Sequence, residues 1–340
     1  MKGTRFKPIL RECLGQLNRE IRVALTPVPK GKTWVFLVGC YNSGTTLLAE
    51  LLGQHPSISA LPTEGHFITD QFVKDYDIGL PRMWVEREDL FCLTEDDQGP
   101  DPVRVKKEWG MRLDLAKPVL LEKSPPNTGK TRWLQAHFEN AHFIGLVRNG
   151  YAVAEGISRK ADPRHLSEGW PIEMSARQWK RSNEILQRDS RHLRHFMWVT
   201  YEDLVLSPCD ALGQLCQNLG ISYDPSMLEL GMDTKLYSPG APPMPVQFSS
   251  PDPSRIMLWR ERLSPIEIRI VEACCHKEMA WWGYRPVAPR VPAVRFASRL
   301  LGERLRYTAK AFLRRIRAAV RRTGWRPGIA RLTPKVAVTG

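Results

Sequence analysis

Metal-ligand spacing is missing from this chain. Its seven cysteines (Cys13, Cys40, Cys92, Cys209, Cys216, Cys274 and Cys275) include no C-x-x-C pair and no Cys/His spacing suited to zinc, so no metal centre is expected. An odd, scattered set also argues against a disulfide scaffold and for reduced thiols in a cytoplasmic setting. No apolar stretch approaches the roughly 18 residues of a membrane-spanning helix. Residues 1–30 carry charges throughout and lack the continuous apolar core of a secretory signal. No internal repeat is visible. Most of the chain also lacks net charge: residues 290–340 hold 14 of the 50 basic residues and one of the 36 acids, so +13 of the net +14 belongs to this tail. At 340 residues, 42% hydrophobic and 25% charged, the composition is globular, with room for one large α/β domain plus additions or for two smaller domains.

What is present is concentrated first in residues 35–54. An apolar run, Trp34 to Val38, reads as a buried parallel strand. A turn containing Asn42, Ser43 and Gly44 follows, and a leucine-rich helix opens at Thr45. Strand, glycine turn and helix N-terminus form a cradle in which backbone N–H groups and the helix dipole favour phosphate or sulfate. A nucleoside-triphosphate loop of the form G-x-x-x-x-G-K-[ST] would need lysine after the second glycine. Gly39 and Gly44 have the spacing, but Thr45 stands in the lysine position. The turn is built for a phosphate-bearing donor other than ATP.

Strand-like runs recur at 34–38, 58–61, 119–121, 142–147 and 196–200, with helical patterns at 45–54, 66–75, 129–138, 150–160, 173–188 and 208–219. This alternation predicts an α/β fold: a P-loop-like, doubly wound, mostly parallel sheet flanked by helices. A helix over Phe6 to Ala24 and a closing helix over Leu263 to Met279, started by Ser264-Pro265, complete the pattern. The expected organisation is an N-terminal helical extension (1–32), a main domain (33–285) and a basic amphipathic tail (286–340). Within the main domain, 80–117 reads as an insertion or lid and the Pro/Ser-rich 238–254 as a long loop. Ligands in such sheets bind beyond the carboxyl ends of the strands. Four segments fall there: Cys40–Thr46, Leu61–Phe67, Leu121–Pro125 and Val147–Gly150, bringing a cradle, Glu64, His66, Lys123 and Arg148 to one edge.

With these residues the chain resembles the PAPS-dependent sulfotransferases, nearest to their carbohydrate (heparan sulfate) and tyrosyl-protein branches in a bacterial-type form (PAPS is 3′-phosphoadenosine-5′-phosphosulfate). Ser43-Gly44-Thr45-Thr46 resembles that family's 5′-phosphosulfate loop, Glu64-Gly65-His66-Phe67 its E-x-H-F segment, and Glu122-Lys123-Ser124-Pro125 its E-K-[TS]-P segment. Phe143–Gly150 is similar to the strand that leads to its 3′-phosphate arginine. Tyr201-Glu202-Asp203-Leu204 is similar to its segment near adenine, and the stretch from Arg255 to Arg260 to its late loop over the 3′-phosphate. The resemblance implies a transferase moving a sulfuryl group from PAPS to a hydroxyl of a carbohydrate, glycolipid or related metabolite, without metal. It implies Glu64 as general base, Lys123 as leaving-group cation, and His66 orienting Glu64 or binding acceptor. Asn42, Ser43, Gly44, Thr45, Thr46, Arg148, Ser158, Tyr201 and Arg255 would hold the donor. Two departures stand out. Asn42 occupies a slot where the family carries Lys or Arg, and Gly156 occupies its serine slot, with Ser158 two residues further on. Two residues turn a helical side chain by about 200°.

Plainer readings stand beside these. Glu64 could cap the helix after it, His66 could be structural, Lys123 and Arg255 could be solvated loop charges, Arg148 could pair with a sheet-edge acid, and Tyr201 could be a core residue. In the tail, Leu301, Leu305, Phe312, Ile316 and Val320 recur at helical spacing among arginines. That pattern fits an anionic membrane surface through 295–322 or a helix packed on the domain. Nucleic acid is a weaker partner, since no recognition motif accompanies the charge. The other functions open to the sequence are a P-loop kinase-like phosphotransferase, against which the missing lysine counts, and a non-catalytic nucleotide-binding or membrane-adaptor protein.

Overall fold

In the computed structural model, residues 6–159, 169–230, 235–236, 244–245 and 251–322 are described. Five strands, β1 (Thr33–Gly39), β2 (Ile58–Ala60), β3 (Val119–Lys123), β4 (Ala141–Val147) and β5 (Phe196–Thr200), form a parallel sheet in the order β2-β3-β1-β4-β5. All five stand where the apolar runs predicted them. The alternation of β1 shows why both faces must be covered. Val35 and Leu37 join Leu47, Leu48, Leu51, Ile144 and Leu212 in one core, while Trp34, Phe36 and Val38 join Trp109, Trp133, Phe138 and Phe143 on the other face.

The helices are α1 (Phe6–Leu25), α2 (Thr45–Gly53), α3 (Gly65–Ile68), α4 (Glu88–Phe91), α5 (Pro102–Gly110), α6 (Thr131–His137), α7 (Gly150–Arg159), α8 (Ile172–Ser190), α9 (Tyr201–Leu206), α10 (Pro208–Asn218), α11 (Trp259–Arg262), α12 (Pro265–Trp281) and α13 (Ala293–Arg322). Ser264 opens α12 as expected, in a reciprocal capping box with Glu267. Two expectations needed correction. The helix predicted over 66–75 stops at Ile68, because Thr69 is extended and its hydroxyl takes the Gln71 N–H. Asp75 then takes the N–H groups of Tyr76 and Arg82, so side chains rather than a helical ladder satisfy this backbone. The helix predicted from Gly129 begins at Thr131, after a tight 3₁₀ turn over Pro125–Lys130 set by two prolines. In the segment 80–117, Trp84 and Trp109 are fully buried. Most of the loop expected over 238–254 lies outside the described residues, as do Lys160 and the tail beyond Arg322.

The chain divides into two compact units, Met1–Arg290 and Val291–Gly340. Within the first, the parallel sheet sends the ends of β1, β2, β3 and β4 to one edge. β1 lies between β3 and β4, so the loops after these three strands are neighbours at the point where strand order reverses.

Candidate active site

The loop leaving β1 is pinned by Thr128, whose hydroxyl accepts from Gly39 N (2.9 Å) and donates to Gly39 O (3.2 Å). Asn42 follows with φ of 64°, a left-handed conformation that asparagine tolerates better than a long cationic side chain. The family slot for Lys or Arg is therefore a bend here. Gly44 caps α2 with φ of 102°, and a Cβ there would lie 2.5 Å from the Tyr201 ring. No side chain caps α2, so its first N–H groups point at the loop. Among the described residues, Asn42 Nδ2, Ser43 Oγ and Arg148 Nε are buried polar atoms with no hydrogen-bond partner. Buried polar groups are normally satisfied. This cluster of unmatched polar atoms fits an anionic, multiply hydrogen-bonding ligand.

Glu64 occupies the N-cap position of α3, yet its side chain makes no capping hydrogen bond. It accepts instead from Lys123 Nζ at 2.8 Å (Oε1), and Lys123 also donates to Thr46 Oγ1 at 3.3 Å. One lysine thus ties the turn after β2 to the start of α2. Burial, the largest single effect, pushes the Glu64 carboxyl up, but the facing Lys123 ammonium and smaller pulls from His66 and Arg82 together hold Glu64 below its ordinary value, as a carboxylate. His66 is fully buried, with Nδ1 3.1 Å from Ser124 Oγ and Nε2 3.7 Å from Glu64 Oε2. Burial pulls its imidazole down to about 3, against the pull of Glu64, so it is neutral at physiological pH.

Arg148, at the end of β4, donates to the carbonyls of Asn42 (3.4 Å) and Arg255 (2.7 Å), and its guanidinium lies 3.9 Å over the Tyr201 ring. Among the described residues no acid forms an ion pair with it. Arg255 contributes its carbonyl here, while its side chain pairs with Asp252 at 3.3 Å. Thr45 is buried in the first turn of α2. Ser158 is not brought to this cluster: its hydroxyl donates to the Glu155 carbonyl of its own helix, at 3.0 Å. The α7 position that meets the loop is Gly156, where a Cβ would lie 3.2 Å from that of Asn42.

The sequence patterns do not single out Glu122, Ser124 or Asn127 as site residues, although the first two belong to the Glu122-Lys123-Ser124-Pro125 segment. Fully buried Glu122 accepts from Gly65 N at 2.9 Å, Asn127 Nδ2 at 2.8 Å and Ser124 Oγ. The available signal was a carboxylate inside a strand that is otherwise apolar up to Leu121. Gly65 is required beside it, because a Cβ would come within 2.7 Å of Glu122 Oε1 and 2.8 Å of Trp109. Trp109 Nε1 also holds the Gly65 carbonyl at 3.0 Å. Among the described residues no cluster of three His, Cys, Asp or Glu side chains could hold a metal ion.

The sulfotransferase family model matches residues 35–225. Among solved structures, the sulfotransferase domain from the curacin biosynthetic pathway superposes with a TM-score of 0.51 at 20% identity, covering 75% of this chain and 98% of that one. The sulfotransferase domain of the Synechococcus PCC 7002 olefin synthase gives 0.47 at 22% identity, over 73% and 97%. Mouse sulfotransferase SULT7A1, in complex with PAP, gives 0.41 at 14% identity, over 73% and 85%. A search of curated proteins returns no match to the chain.

Proposed function

This chain belongs to the sulfotransferase family, and from that premise we propose that it transfers a sulfuryl group from PAPS to a hydroxyl of a carbohydrate, glycolipid or related metabolite. The observation that carries the reading is the bridge made by Lys123, which reaches the predicted base Glu64 and the cradle residue Thr46 at once. When bound, the donor supplies a sulfuryl group whose bond to the 5′-phosphate breaks onto the phosphate oxygen. Such transfers pass through loose transition states, so positioning and cationic stabilisation carry most of the catalysis. Asn42–Thr46 and the first turn of α2 would hold the 5′ end, and Arg148, with Tyr201 and the segment of Arg255, the 3′-phosphate and adenine end. The unmatched atoms of Asn42, Ser43 and Arg148 fit that load. Glu64, kept ionised, takes the proton of the acceptor hydroxyl. Lys123 neutralises charge on the leaving side.

The same proposal includes a reducing, cytoplasmic setting, which the scattered cysteines support, and peripheral contact of α13 with an anionic membrane surface. No described helix is long and apolar enough to cross a membrane. On α13, however, Val294, Leu301 and Leu305 are 81%, 59% and 61% exposed amid arginines, the pattern of a helix lying at a lipid interface. Co-sedimentation with anionic but not neutral vesicles tests that part. Transfer from sulfur-labelled PAPS to a lysate of sugars and lipids, with mass identification of the product, tests the activity. A labelled carbohydrate or glycolipid supports the reading, and labelled protein alone contradicts it.

A further inference from the structure

Behind Glu64 and His66 lies a buried polar relay that the reading above leaves idle. Both Glu122 oxygens already act as acceptors, Oε1 from Gly65 N (2.9 Å) and Oε2 from Asn127 Nδ2 (2.8 Å). Ser124 has a single hydroxyl hydrogen, and it goes to Glu122 Oε1. Toward His66 Nδ1, 3.1 Å away, the Ser124 oxygen therefore acts as acceptor, which puts the imidazole hydrogen on Nδ1. His66 Nε2 is then bare. It is buried, has no hydrogen-bond partner, and sits 3.7 Å from Glu64 Oε2. A bare imidazole nitrogen beside a carboxylate oxygen favours a donor hydrogen between them.

We propose that Glu122 and Ser124 are positioning residues that fix His66 as its Nδ1–H tautomer, so that His66 Nε2 and Glu64 Oε2 jointly receive the acceptor hydroxyl. The inference rests on Glu64 being the base and deepens that reading. The hydroxyl proton passes to Glu64 Oε2, and Nε2 orients it without being protonated. Neutral His66 is needed, and its surroundings supply that: burial dominates, Glu64 opposes it, and Lys130, Lys123 and Lys74 add to it from three other segments.

Nitrogen-15 NMR of the full chain, histidine-labelled at pH 7, reads the tautomer directly, with the His66 signals assigned by their loss in His66→Gln. The expected spectrum has a protonated-type Nδ1 and a bare-type Nε2. Ser124→Ala loses that preference and Ser124→Thr restores it. An Nε2–H tautomer in the unsubstituted protein overturns the proposal, as does an unchanged spectrum in Ser124→Ala. Because the unsubstituted protein carries the first readout, a variant that fails to fold does not shield the idea. Thermal stabilisation by 3′,5′-adenosine bisphosphate, measured on the same samples, reports separately on the donor reading.

Discussion

Glu64 Oε1 and Lys123 Nζ are 2.8 Å apart although 59 positions separate them in sequence. The pair joins the base to the donor cradle, and it also restrains the base until Lys123 has another anion to face. Glu64→Gln keeps the shape and removes the proton acceptor. Turnover should fall about 10²–10⁴-fold, or about 3–5 kcal/mol of barrier. Stabilisation by 3′,5′-adenosine bisphosphate should persist, and unchanged turnover would remove Glu64 from the chemistry.

The pH profile should report the same pair. Burial raises the Glu64 carboxyl, and Lys123 together with His66 and Arg82 more than offsets it, so the ionised base survives to pH values below the ordinary carboxylate range. A rate that needs the carboxylate is lost as pH falls through that value. In Lys123→Met burial acts unopposed by the ammonium, so the acid limb of kcat/KM should move to higher pH. His66, at about 3, should add no limb near 6.5.

Donor affinity should separate Arg148 from Ser158. Arg148 spans two carbonyls and stacks on Tyr201, geometry a lysine cannot reproduce. Calorimetry should show Arg148→Lys weakening 3′,5′-adenosine bisphosphate by about 10-fold or more, a loss on the order of 1.4 kcal/mol. Ser158→Ala should leave the affinity unchanged, since its hydroxyl is engaged within its own helix.

Buried Lys130 predicts a stability signature away from the chemistry. Its ammonium donates to the Pro126 carbonyl at 3.1 Å between the rings of Phe72 and Phe91, and burial lowers it to about 8. The folded state then binds fewer protons than the unfolded state between about 8 and the ordinary lysine value. The Lys130 contribution to stability should rise with pH across that window, by about 3 kcal/mol at most. The buried thiols of Cys40 and Cys92, raised to about 12 and about 11, act in the opposite direction in both proteins, so the readout is the difference. Between pH 7 and pH 10, urea unfolding should show the unsubstituted protein gaining stability relative to Lys130→Met.

Much of this fold was legible in the chain because β-α alternation and apolar runs are local signals. All five sheet strands follow from them, as does the Ser264 start of α12. The short α3 was not legible: the stop at Thr69 depends on side chains of Thr69 and Asp75 capturing backbone N–H groups. Glu64, Lys123 and Arg148 could be placed at one edge because parallel strands send their ends the same way. The partners of Glu122 could not, since they come from the turn after β2 and from the 3₁₀ turn after β3. Ser158 shows the limit of motif offsets, where helical phase decides which side chain faces the loop.

The central claim is that the cradle and Arg148 hold one adenylate phosphorylated at both 3′ and 5′ positions. Thermal unfolding with 3′,5′-adenosine bisphosphate, ATP and AMP, each at the same concentration, tests it most directly. The account predicts a clear rise in Tm with the bisphosphate, abolished in Arg148→Ala, and little or none with ATP or AMP. Stabilisation by ATP with none from the bisphosphate would contradict it.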